Sequence, residues 1–219
     1  MLKYPCLVLD HDDTVVQSEK TIGYPCFCKT LSRLRPGATL TFKEYVLGCH
    51  NLGFVEMCRR NWAFSDAEMQ EEYQDWVNYV RENEPDIFPG IERVIRRQKE
   101  EGGLICVVSH SSSQTISRAY DFYFGIQPDR IYGCDLPKEQ QKPSPFPLED
   151  IMRRFSFKPE ELLVVDDMKL AWKMAHPLGV PTAFAAWSKL EFPDMMEEMR
   201  TLCDFTFETT ESLEKFLFD

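Results

Sequence analysis

The chain lacks any apolar run approaching the length of a membrane span, which argues against a transmembrane helix. Met1-Leu2-Lys3-Tyr4-Pro5 leads directly into an apolar strand, leaving no room for a signal peptide. The eight cysteines form no Cys-x-x-Cys pair, and Cys6 and Cys106 sit inside apolar runs. Reduced core thiols of a cytoplasmic protein are therefore expected, rather than a disulfide framework or a zinc site. Basic residues are in short supply: 25 Lys and Arg against 36 Asp and Glu give a formal charge of −11. That balance argues against a nucleic-acid backbone as main partner, and it means that an anionic ligand must be drawn in by a local cation. Internal repeats and low-complexity tracts are also missing. What remains is 219 residues, 43% hydrophobic and 28% charged, a folded chain sized for one large domain or two small ones.

From Phe88 onward, short apolar runs alternate with helical patterns. Strands are predicted at Leu104–Ser109, Arg130–Gly133, Leu162–Asp166, Pro181–Ala186 and Asp204–Phe207, with helices at Ile91–Glu101, Ser113–Phe124, Pro147–Phe155, Lys169–Ala175 and Ser212–Leu217. Together with Cys6-Leu7-Val8-Leu9, these continuous apolar strands predict an α/β fold, a Rossmann-like, doubly wound and mostly parallel sheet. Residues from about Thr21 to Pro85 read differently. Thr41-Phe42-Lys43-Glu44 and Ser65-Asp66-Ala67-Glu68 are capping boxes, and Pro36-Gly37 stops an earlier helix. The expected division is a core of residues 1–17 and 87–219, with an inserted helical domain at 18–86.

Charge gathers at the strand ends. Asp10-His11-Asp12-Asp13-Thr14 closes the first apolar run, Ser109 the second, and Asp166-Asp167 a third, with Lys142 in the loop before it. Ligands of such sheets bind at the carboxyl ends of the strands. Taken singly, each residue has an ordinary reading: Asp10 a turn residue, Asp166-Asp167 a helix cap, Ser109 a turn hydroxyl, Lys142 a solvated loop lysine. Taken together, a carboxylate nucleophile, an acidic pair, a hydroxyl and a lysine are what phosphoryl transfer through aspartate needs.

In these four motifs the chain resembles the haloacid dehalogenase superfamily, in its phosphatase branch with a helical cap after the first strand. Phe88-Pro89-Gly90 is similar to that family's turn from cap to core. The resemblance implies that Asp10 attacks phosphorus and that Asp12 acts as general acid and then base. It implies that Ser109 and Lys142 hold the transferring group. It also implies Mg²⁺ bound by Asp10, the Asp12 carbonyl and Asp166, with Asp167 direct or through water. Asp13 stands where Gly is more usual and reads as a turn residue. His110 is expected beside the phosphate, and His50 and Asn51 on a tight cap loop, Gly48–Gly53, that chooses the substrate. His11 takes no assigned role.

The expected activity is a Mg²⁺-dependent phosphatase acting on a small phosphorylated metabolite: phosphoglycolate, a sugar phosphate or a nucleotide. The alternative enzyme is a phosphomutase resembling β-phosphoglucomutase. Dehalogenation is disfavoured because Asp12 is present, and a phosphonate hydrolase because residues 45–62 hold no lysine. A phospho-receiver or other phosphate-binding module is disfavoured because the acidic pair comes last in the chain. No nucleic acid or membrane is expected as partner, and the expected assembly is a monomer or weak dimer.

Overall fold

The computed structural model describes residues 2–219. The chain divides into two compact units, Met1–Val16 with Ile87–Asp219, and Gln17–Asp86. In chain order, β1 (Cys6–Leu9) precedes four helices: α1 (Tyr24–Leu34), α2 (Phe42–Leu52), α3 (Phe54–Trp62) and α4 (Asp66–Glu82). The remainder runs α5 (Ile91–Glu100), β2 (Leu104–Val108), α6 (Ser113–Phe124), β3 (Arg130–Tyr132), α7 (Phe146–Phe155) and β4 (Leu162–Asp166). It closes with α8 (Lys169–Ala175), β5 (Thr182–Ala185), α9 (Pro193–Leu202), β6 (Phe205–Phe207) and α10 (Thr210–Phe218). No helix among the described residues is long and apolar enough to cross a membrane.

The six strands form one parallel sheet in the order β3-β2-β1-β4-β5-β6. Strand periodicity sorts its side chains cleanly. Leu7, Leu9, Ile105, Val107, Leu163 and Val165 lie in one core cluster, together with residues of α5, α6 and α10. Cys6, Val8, Cys106, Val108, Leu162 and Val164 lie in the other, with residues of α7 and α8. Both faces are covered, which is why these strands read as continuous apolar runs. The strand order reverses at β1, and the crevice above such a reversal is where this architecture binds ligands.

Helix α9 was not foreseen between the last two strands. Its sequence signal is weak: Pro193 at the first helical position, then Met195, Met196 and Met199, all buried. Met fills irregular gaps without imposing a strong pattern.

The helical unit follows its local signals more closely. Thr41 Oγ1 accepts from the Glu44 amide while the Glu44 carboxylate accepts from the Thr41 amide, and Ser65 and Glu68 repeat the device. The Phe27 ring packs against Tyr45, Phe54 and Trp62, with centroids 5.9, 5.2 and 5.5 Å away. One expectation fails here. Gly48–Leu52 is not a loop but the last turn of α2, and only Gly53, at φ 80°, leaves the helix. The glycine at 48 serves close packing instead, because a Cβ there would fall on the Met57 sulfur of α3. His50 is consequently a buried helical residue, and Asn51 an exposed one.

Candidate active site

The register of the sheet brings the chemistry-bearing residues to one end. Leu9 pairs with Val107 of β2 and Val165 of β4, so the residues that follow emerge side by side. The Asp10 amide donates to the Val165 carbonyl at 2.9 Å, and the Ser109 amide to that of Tyr132 at 3.0 Å. After Asp10 the chain turns back on itself: the amides of Val15 and Val16 donate to the His11 carbonyl, and Phe88 returns to pair with Val15. The His11 ring is buried and lies 6.2 Å from that of Tyr120.

Lys142 is the hub. Its buried ammonium lies 2.8 Å from Asp10 Oδ1 and 2.7 Å from Asp166 Oδ2. The loop that carries it is braced at two points. Gln141 donates to the carbonyls of Cys134 and Leu136. His110 lies with Nε2 3.0 Å from the Lys142 carbonyl, and since a carbonyl only accepts, that nitrogen is the protonated one. Desolvation of the His110 ring, then the neighbouring Lys142 ammonium, lower its pKa to about 4, partly countered by that hydrogen bond and by Asp12.

The acids sit under electrostatic tension. Burial, then Asp166, push the Asp10 carboxyl well above the usual carboxylate range, against the pull of Lys142. Burial pushes Asp166 up to about 6, again opposed first by Lys142. For Lys142 burial acts downward, but Asp10 and Asp166 outweigh it and the ammonium is held charged. One lysine does not balance the cluster, and a further cation would relieve it.

Oxygen occupancy distinguishes the two acids at the end of β4. Asp166 has both oxygens committed, Oδ2 to Lys142 and Oδ1 to the Met168 amide at 2.7 Å. Asp167 Oδ1 receives only a long contact from Thr14 Oγ1, 3.4 Å. Carboxylate oxygens of Asp10, Asp166 and Asp167 lie within 4.8 Å of one another. Three hard oxygen donors from buried carboxylates suit a divalent cation such as Mg²⁺.

Asp12 is held from the β2 side. Ser111 Oγ donates to Asp12 Oδ2 at 2.6 Å and Ser109 Oγ to the same oxygen at 3.2 Å. The Ser111 amide donates to Ser109 Oγ, closing the network. Gly133 makes room for it, since a Cβ there would stand 2.7 Å from the Ser111 carbonyl. Ser111 escaped sequence reasoning, although its two-residue offset from Ser109 at a strand end is the signal that could have found it.

Two further residues change in standing. Asp13, read as a turn residue, does take a left-handed conformation, φ 55°, but its carboxylate also lies 2.7 Å from the ammonium of Lys189. Lys189 follows the short helical turn Ala186–Ser188 after β5, is fully buried, and lies 2.9 Å from Asp167 Oδ2 as well. Trp187 pins that turn by donating from Nε1 to the Thr14 carbonyl at 3.2 Å. Nothing in the local sequence around Lys189 separates it from a solvated lysine. His50 and Asn51 belong to the helical unit, on α2.

The fold is widely shared. A predicted phosphoglycolate phosphatase from Haemophilus somnus superposes with a TM-score of 0.73 at 19% identity, covering 99% of each chain. CbbY from Rhodobacter sphaeroides, in complex with phosphate, gives 0.71 at 19% identity, covering 97% of this chain and 96% of the other. A haloacid dehalogenase-like family hydrolase from Streptococcus pneumoniae gives 0.73 at 16%, covering 98% of each. No curated protein matches in sequence. The model of the haloacid dehalogenase-like hydrolases matches residues 7–185, a span that takes in every one of the four motifs. The chain therefore belongs to the haloacid dehalogenase-like hydrolase family.

Proposed function

We propose that the protein is a Mg²⁺-dependent phosphatase that hydrolyses a small phosphorylated metabolite through a phosphoryl group carried on Asp10. The observation that carries this reading is the buried set of Asp10, Asp166 and Asp167 with oxygens within 4.8 Å of one another, and Lys142 bridging the first two. Two proteins of the same fold support it: CbbY, whose structure holds phosphate, and the phosphoglycolate phosphatase predicted from Haemophilus somnus.

In this reading Lys142 takes Oδ1 of Asp10 and orients the carboxylate, leaving Oδ2 to attack phosphorus. The bond from phosphorus to the leaving oxygen breaks as the Asp10–phosphorus bond forms, and Asp12 delivers the proton that oxygen needs. Asp12 then takes a proton from the water that releases phosphate. The two serines at Asp12 Oδ2 hold the carboxylate in one place for both transfers. Ser109, Lys142 and the backbone near His110 are assigned to the phosphoryl oxygens. Asp10, Asp166 and Asp167 are assigned as the carboxylates that hold the metal, with the Asp12 carbonyl. Asp166 also fixes Lys142. A bound divalent cation supplies charge neutralisation for the acids and the incoming phosphate.

The test is a screen of the full chain with Mg²⁺ against phosphorylated metabolites, beside Asp10→Asn and Asp12→Asn. Phosphate release that both substitutions abolish is expected. Release that survives Asp10→Asn removes the nucleophile, and an isomerised sugar phosphate without free phosphate turns the reading to a mutase. Substrate choice is assigned to residues 18–86. Replacing His50 should then reorder the substrates more than it slows a generic aryl phosphate, and an unchanged order removes His50 from the assignment.

A further inference from the structure

A cavity of about 140 Å³ opens at the amino end of β5, the opposite end of the sheet from Asp10 and Asp166. Trp172 of α8 and the following His176 form one wall, their rings stacked with centroids 4.6 Å apart. Val180, Pro181 and Leu202 supply apolar lining, and Asp204, just before β6, supplies a carboxylate.

Volume and polarity narrow what such a cavity holds. Pockets for drug-sized molecules run to roughly 300–1,000 Å³, so this one suits a group the size of a side chain. Its backbone has no amide to spare for an anion. The amides of Gly179 and Val180 donate to the carbonyls of His176 and Ala175, at 3.1 and 3.3 Å. Pro181 has no N–H. The Thr182 amide donates to Asp204 Oδ2 at 2.8 Å, and the Asp204 amide to Thr182 Oγ1 at 3.4 Å. What remains is an acceptor. The Thr182 hydroxyl also donates to Oδ2, at 3.0 Å, so two donors from one residue fix the carboxylate by a single oxygen. Among the described residues, Oδ1 receives no hydrogen bond and Asp204 enters no ion pair.

We propose that this cavity binds a primary alkylammonium ion, with the carbon stem along Leu202, Val180 and the aromatic wall and the ammonium on Asp204 Oδ1. A single open oxygen suits a compact cation with rotatable donors better than a guanidinium, whose forked donors seek two oxygens. The apolar and aromatic lining favours an organic cation over a metal ion, which needs several oxygen ligands. The formal charge of −11 draws cations to the whole surface; the cavity gives one kind a fixed seat. This site stands apart from the phosphatase reading and does not depend on it.

The experiment titrates the ¹⁵N-labelled full chain with n-butylammonium chloride and follows its amide and indole NMR signals, with n-butanol, butyrate and n-butylguanidinium as comparators. The Trp172 indole and the amides of Thr182, Leu202 and Asp204 should shift together and saturate, with a Kd on the order of 1 mM. n-Butanol should bind at least about tenfold more weakly, and butyrate should leave these signals in place. Asp204→Asn keeps an oxygen to accept from Thr182 but loses the charge, and should weaken n-butylammonium at least about tenfold. Should that variant not fold, Leu202→Lys places an ammonium of the chain's own beside Asp204 and should abolish uptake. Shifts of equal size with n-butanol overturn the proposal, because the cavity is then an apolar hollow. Shifts that spread over the surface without saturating overturn it as well, since net charge alone then explains them. Tighter binding of n-butylguanidinium overturns the choice of ammonium, and uptake unchanged in Asp204→Asn or Leu202→Lys overturns the site.

Discussion

The two units differ in the ion pairs that they bury. The sheet unit carries exposed pairs too, such as Arg96–Glu92 and Arg200–Glu208, but it also buries some: the side chains of Lys142, Asp10 and Asp166 are 5–6% exposed, and that of Lys189 is 0% exposed. In the helical unit the pairs lie toward solvent, as Arg60–Glu56 does at 63% and 44% exposure, with Arg59–Asp66 and Arg33–Glu71 beside it in kind. Where the helical unit buries an acid, no cation among the described residues is seen to pair with it. Glu72 is buried, and burial followed by Asp75 pushes its pKa up to about 7. The contrast teaches where charge is kept for chemistry. A buried ion pair is rarely the cheapest way to stabilise a fold, because desolvation offsets the Coulomb gain. Buried pairs gathered at one end of a sheet fit the phosphorylated substrate and divalent cation proposed for this site, whereas the helical unit solvates its charges or neutralises them.

The sharpest break of this comparison is at Asp10. Asp10→Asn should lower phosphate release by on the order of 10³-fold or more while leaving the fold intact, measured by phosphate assay beside circular dichroism. A comparable loss on any ion-pair substitution in the helical unit would erase the distinction. Lys142→Met comes next. It leaves Asp10 and Asp166 buried without their shared partner and should cost about 3–5 kcal/mol of stability, read by denaturant unfolding. Adding Asp166→Asn should recover part of that loss, and no recovery would mean that the lysine stabilises by packing alone.

The Glu72 prediction has a sign fixed by linkage. Its pKa is raised from 4.5 to about 7 in the folded chain, so the folded state holds the proton more tightly than the unfolded one. Wild-type stability then falls as pH rises from 4.5 through 7, and Glu72→Gln escapes that fall. The variant should exceed wild type by on the order of 3 kcal/mol at pH 8 and by little at pH 4.5, measured by unfolding at both values. A pH-independent difference would refute a neutral buried Glu72. The smallest effect belongs to Arg60→Gln, which should change stability by no more than about 0.5 kcal/mol, and less at high salt. A larger cost would show that the solvated pairs of the helical unit form a working network.

Much of this was legible in the chain because it depends on local rules. Capping boxes at Thr41 and Ser65 involve residues three apart, and both form. Apolar runs buried on two faces announce a parallel sheet, and Asp10, Ser109, Lys142 and Asp166 do converge at its carboxyl end. The misreadings have equally physical causes. Gly48 looks like a loop residue, yet it lies inside α2, where α3 approaches too closely for a side chain. Helix α9 hides because its Met residues and its leading Pro193 lack a strong stripe.

The sequence by itself determined the kinds of group at the strand ends, because strand length and periodicity place each acid at the end of its own apolar run. Tertiary structure alone decided the pairings. That Asp166, and not Asp167, receives Lys142 and the Met168 amide depends on where those groups fall. That Lys189 meets Asp13, 176 residues away along the chain, depends on β5 lying one strand beyond β4. Such contacts follow from the order of strands in the sheet, a global property that no local window of residues encodes.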